Sequence, residues 1–229
     1  MKITPKILTA VLLLFLVASC TESKIEQGQV TYELTYPHMD PENTLVNAIS
    51  PKEMTIVFKG TKMKTTIKKG RLFETNIISD ESNNSLALYS DLDGNQIYCV
   101  LNDEDVEKLK NSLPTYTAKT TEVQDSIGGI YSTKYTTSSS DSLQPSDAWF
   151  TDDFAPQDAV WFSPYKGVKG FPVVYDIERY GMFTHATATN FVEREVKDEE
   201  FEIEGKYRLL TFEEYEEESF ELFDILLNW

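Results

Sequence analysis

From Gly28 onward the chain is a succession of short runs of alternating apolar and polar residues. Turn residues break these runs at intervals of about 8 to 14 positions, a rhythm that limits the fold to a meandering antiparallel sheet. In "GQVTYELTYP", Val30, Tyr32 and Leu34 fall on one side, and Thr31, Glu33 and Thr35 on the other. "EMTIVFKG" and "TKMKTTIKKG" read as a hairpin, followed by strands in "LFETNIISD", "SLALYSD" and "QIYCVL". The links "DESNNS" and "DLDGN" are rich in residues that tolerate tight turns. "DPENTLVNAIS" predicts a short helix, and "NDEDVEKLKNSL" a longer one capped by Asn102 and ended at Leu113-Pro114. Strands in "TYTAKTTEV" and "IYSTKYTTS" flank Gly128-Gly129, and "SSSDSLQPSD" reads as a loop within one domain. Beyond it, "AWFTD", "PVVYDIER" and "MFTHATATNFVERE" continue the sheet, with Gly181 at the last turn. Thr211 and Glu214 form a capping box for a final amphipathic helix carrying Phe212, Tyr215, Leu222, Phe223, Leu226 and Trp229.

The N-terminus indicates the compartment. "MKITPKILTAVLLLFLVASC" has a basic start at Lys2 and Lys6, then an apolar core from Ile7 to Val17. That core is about 11 residues, too short for a membrane span of roughly 20. Its ending, "LVASC", resembles a bacterial lipobox, which implies acylation of Cys20 and anchoring by buried methylenes rather than by a spanning helix. An ordinary cleaved signal with a chance cysteine at the boundary is the alternative. The chain divides into a signal peptide (1–19), a lipidated tether (20–27), a β domain (28–211) and an acidic amphipathic helix (212–229).

Charge and cysteines narrow the partners. Without Lys2 and Lys6 the balance is 38 acids to 19 bases, or −19, which argues against nucleic acid. With Cys20 acylated only Cys99 remains, so no intramolecular disulfide forms; Cys99 in "QIYCVL" reads as a small buried hydrophobe. Residues 52 to 71 hold seven lysines or arginines, and residues 193 to 229 hold 14 acids against four bases. These are solvated faces, or else a rim for anionic head groups and a tail for a partner.

Catalytic residues are sparse. The two histidines, His38 and His185, form no metal-ligand spacing, and no Gly-rich phosphate loop is present. "SPYK", Ser163 to Lys166, has the Ser-x-x-Lys pattern but lacks its companion motifs. "DLDGN" begins like a calcium loop but has Asn102 at the twelfth position, so it reads as a hairpin turn. Asp152 and Asp153 are adjacent on a strand end and point to opposite sides. His185 reads as structural. No catalytic residue, metal site or cofactor is expected.

In order and spacing, "GQVTYELTYP", "PKEMTIVFKGTKMKTTI", "NIISD", "IGGIYSTKY", "AWFTDDF", "KGFPVVYDIERYGMFTHATAT" and "DEEFEIEGKYRLLT" resemble a Gram-negative envelope family, domain of unknown function 4412. This resemblance covers most of residues 28 to 211 and extends to the LolA, LolB and LppX carrier group. It implies a mainly β (α+β) fold, a curved antiparallel sheet forming an incomplete barrel with helices on its concave side, where those relatives hold acyl chains. The chain departs from the family at Ser132, where a cysteine is frequent, and in its extension after Thr211.

The expectation is therefore a non-enzymatic, monomeric lipoprotein, tethered to the outer membrane through Cys20 and facing the periplasm. It would bind a lipid or other apolar ligand, with Phe171, Val173, Tyr175 and Ile177 as the ligand-facing side of one strand. The alternative is an interaction lipoprotein with a filled core, whose acidic tail meets an envelope protein.

Overall fold

A computed structural model describes residues 24–139, 147–165, 167–180, 182–203 and 205–227. The expectations for the signal segment, Cys20, most of the Ser-rich loop, Lys166, Gly181 and Trp229 lie outside these residues. So do those for the side chains of Leu222 and Leu226.

Among the described residues twelve strands form one sheet: β1 (Gln27–Thr35), β2 (Glu53–Lys59), β3 (Lys62–Lys69), β4 (Phe73–Asp80), β5 (Ser85–Leu92), β6 (Asn95–Leu101), β7 (Tyr116–Ile127), β8 (Ile130–Ser139), β9 (Ala148–Thr151), β10 (Phe171–Arg179), β11 (Met182–Val192) and β12 (Arg208–Leu209). Their order is β12-β6-β5-β4-β3-β2-β1-β11-β10-β9-β8-β7, an open array. Helices α1 (Thr44–Ile49), α2 (Asp103–Ser112) and α3 (Phe212–Leu227) complete the described fold, which is mainly β with a C-terminal helix. Central β1 pairs with β2 on one side and β11 on the other, joining early and late segments of the chain.

Local sequence explains the local geometry. Val30, Tyr32 and Leu34 are buried at 0%, 0% and 1% exposure, as their alternation requires. "DLDGN" is the β5–β6 hairpin turn: Asp93 and Gly94 both have positive φ, 51° and 86°, and the Gly94 N–H donates to Asp91 at 2.9 Å. Asn102 and Asp105 close a reciprocal capping box on α2. At α3 the Glu214 N–H donates to Thr211 and the Thr211 N–H to Glu214.

Two apolar clusters fill the inner side of the sheet. The larger lies under β1, β2 and β8–β11 and includes Phe58, Phe150, Phe154 and Tyr165. The smaller joins β4–β6 to α2, α3 and Trp161. After β11 the chain passes along the outer side. The Val196 N–H donates to Gln27, Asp198 pairs with Lys59, and the Tyr207 ring meets Tyr89 edge-on. It then covers the β6 edge as the parallel strand β12, and α3 returns to the inner side. The β6 edge is thereby shielded from pairing with another chain.

The tip of the β7–β8 hairpin rests on β11. Gly128 has φ 58°, and a Cβ there would stand 2.7 Å from the Ala188 carbonyl oxygen. At Gly129, φ is 82° but a Cβ meets nothing within 4 Å. Gly128→Ala is therefore expected to cost roughly 1–3 kcal/mol, and more than Gly129→Ala, which carries only the backbone strain. Urea unfolding of the two variants checks the difference.

Candidate apolar cavity

Between the sheet and its helices lies a cavity of about 180 Å3. Leu34, Ile56, Ile67, Ile77 and Leu88 bring one residue each from β1 to β5, and Tyr175 and Ile177 come from β10. Leu109 of α2, the segment around Val160 and Phe162, and Tyr215 and Phe223 of α3 close the opposite side.

Helix α3 ties distant strands together. The Tyr215 hydroxyl shares a 2.6 Å hydrogen bond with Ser90 of β5. The next residue, Glu216, accepts from Arg179 of β10 at 2.5 Å and from the Tyr180 hydroxyl at 2.9 Å. Tyr180 also stacks on Phe223 at 5.0 Å, while Phe73 meets Phe223 edge-on. Tyr180 has φ 52°, a strained left-handed conformation for a bulky residue.

Charged residues reach this wall. Side chains alternate along β10, so Arg179 shares the face of Tyr175 and Ile177; Asp176 and Glu178 occupy the alternate positions but also contribute to the lining, and Glu178 Oε2 is buried without a hydrogen-bond partner among the described residues. Asp176 meets His185 Nδ1 at 2.7 Å. The Arg179 side chain is 24% exposed, and its Nε is buried with no hydrogen-bond partner among the described residues. Burial alone would weaken the guanidinium's charge, but Tyr180 and Glu216 outweigh it and hold the pKa above its usual value. Burial raises the phenol pKa of Tyr36, Tyr175, Tyr180 and Tyr215, so these four groups on the lining stay neutral hydrogen-bonding groups.

The four residues expected to face a ligand are divided. Tyr175 and Ile177 line the cavity, but Phe171 and Val173, both 0% exposed, sit within the larger solid cluster. The alternation itself holds, since all four belong to the same inner cluster; Phe171 and Val173 fall outside the cavity lining, in the part of β10 where residues 171–176 are buried on both sides and the β9 pairing slips between Pro172 and Val174. Ser163 lines the cavity and accepts the Tyr165 N–H at 3.1 Å, while its motif partner Lys166 lies outside the described residues. Asp152 and Asp153 are exposed beyond β9, and His38 packs edge-on against Phe183. Among the described residues no three His, Cys, Asp or Glu side chains are grouped to hold a metal ion, and no helix is long and apolar enough to cross a membrane.

Arg179, Tyr180, Glu216 and the Asp176–His185 contact escaped the sequence reading. A signal for the last was present: counting back from the Arg179–Met182 pair at a hairpin end sets Asp176 opposite His185. Nothing local points Glu216 at Arg179, 37 residues away.

Cys99 is fully buried, and burial pushes its thiol up to about 12. In a Cys20→Ala chain it is expected to resist alkylation by iodoacetamide at neutral pH, and to react once urea unfolds the protein. Mass spectrometry before and after urea reads the outcome; rapid labelling of the folded form would contradict this placement. No family model matches the chain, and no curated protein matches it either.

Proposed function

We propose that this chain is a lipoprotein anchored through acylated Cys20, whose sheet forms an incomplete barrel that holds an apolar ligand without covalent chemistry. The carrying observation is the apolar cavity between the sheet and α3. Curvature of the barrel kind is supported by α3. Strands β5 and β10 are six steps apart, about 29 Å in a flat sheet, yet adjacent residues of one helix reach both.

Volume limits what such a site accepts. The cavity, about 180 Å3, exceeds the roughly 150 Å3 hole that holds benzene and falls below the roughly 300–1,000 Å3 of common ligand pockets. A short chain, or one end of a longer one, fits that space, and several acyl chains do not. The resemblance to the LolA, LolB and LppX carriers points to the same class of ligand and to a periplasm-facing position at the outer membrane.

The test is native mass spectrometry of the Cys20→Ala chain. One apolar molecule per protein is expected, lost in Ile177→Trp, where the larger ring fills the cavity. A protein that carries no such molecule, and takes up none when offered, overturns the proposal. In that event the reading left is an interaction lipoprotein, which one feature favours: Phe220, 55% exposed, stands among the exposed acids Glu217, Glu221 and Asp224.

A further inference from the structure

We propose that the cavity's ligand is a single-chain carboxylate, whose head group takes the place of Glu216 on Arg179 and Tyr180 while its chain enters along Tyr175 and Ile177. This rests on the apolar-ligand reading above and adds the chemistry of the head group.

Four observations lead there. Arg179, at the end of β10, brings a cation to the lining, and in the structure it is paired with a carboxylate. That carboxylate comes from α3, the element that closes the cavity, and two donors, Arg179 Nη2 and the Tyr180 hydroxyl, converge on one of its oxygens. Arg179 Nε is buried beside them without an acceptor, so a carboxylate arriving from the cavity side gains a hydrogen bond that Glu216 does not make. Tyr180 is held in a strained conformation that presents its hydroxyl at this point, and such strain persists where the surroundings demand it.

The exchange balances. Glu216, 31% exposed, moves to water as the ligand's carboxylate takes its donors, so the charge beside Arg179 is unchanged. A cationic amphiphile would bring a like charge against Arg179, although Glu178 of β10 also lines the cavity. A two-chain phospholipid exceeds the volume.

The experiment compares cis-parinaric acid, a fluorescent fatty acid, with its neutral methyl ester on the Cys20→Ala chain. Fluorescence titration is expected to show the acid binding about tenfold tighter or more. Adding Arg179→Gln should erase that preference while the ester's affinity holds, with Arg179→Lys retaining part of it. Glu216→Gln, which weakens the internal competitor, should tighten the acid several-fold and leave the ester unchanged. Equal binding of acid and ester, or stronger displacement of the probe by phosphatidylglycerol vesicles than by palmitate, overturns the head-group assignment and leaves the apolar cavity standing. Failure of both acid and ester to bind overturns the cavity reading with it.

Discussion

Replacing Phe58 by alanine is expected to lower the stability by about 3–5 kcal/mol, the range for a large aromatic truncated in a core that cannot collapse around the gap. Phe58, next to the last residue of β2, is 0% exposed. Its ring stacks on Phe154 at 4.9 Å and lies 5.3 Å from Phe171 and 6.4 Å from Phe191. These partners come from a connecting segment, β10 and β11, so the loss loosens three parts of the chain at once. In a domain held by roughly 5–15 kcal/mol this is about a fifth or more of the total, and it corresponds to a fall in Tm of about 6–20 °C. Phe220→Ala, at an exposed site, should stay within about 0.5 kcal/mol. Thermal and urea unfolding measure both, and a loss below about 1 kcal/mol at Phe58 would mean that this aromatic cluster is not packed as described.

The sheet was readable because its information is local. Alternation in β1, the Asp93-Gly94 turn and the caps of α2 and α3 each need only a few neighbouring residues, and each formed as the sequence implied. Strand β10 shows where locality ends. Its alternation predicts one inward face from Phe171 to Ile177, and that face forms, but Phe171 and Val173 lie in solid core, where the strand is covered on both sides and the β9 pairing slips. The same face continues to Arg179, which a reading for apolar residues passes over because a charged side chain at a strand end ordinarily reaches water. What keeps Arg179 partly buried is α3, brought round the β6 edge by a segment that contributes only a two-residue strand. Pattern in the sequence therefore gives the walls, while the contact that gives the cavity its chemistry depends on chain return.

That contact carries the second large effect. Glu216→Leu should cost about 2 kcal/mol, because it leaves a guanidinium 24% exposed without its carboxylate, between the 0–1 of surface ion pairs and the 3–5 of fully buried ones. Arg179→Met should cost a similar amount by stranding Glu216. The double variant should return close to the parent, since Met and Leu pack against each other and neither charge is left alone, so the coupling in the cycle is about 2 kcal/mol. Hydrogen exchange locates the effect: amides of α3 should exchange faster in each single variant and recover in the double one. Coupling below about 0.5 kcal/mol would mean that Tyr215 on Ser90 and Phe223 against Phe73 and Tyr180 hold the helix unaided. In that case the Arg179–Glu216 pair contributes little to closing the cavity, and its two partners are free to exchange with a ligand at almost no cost in stability.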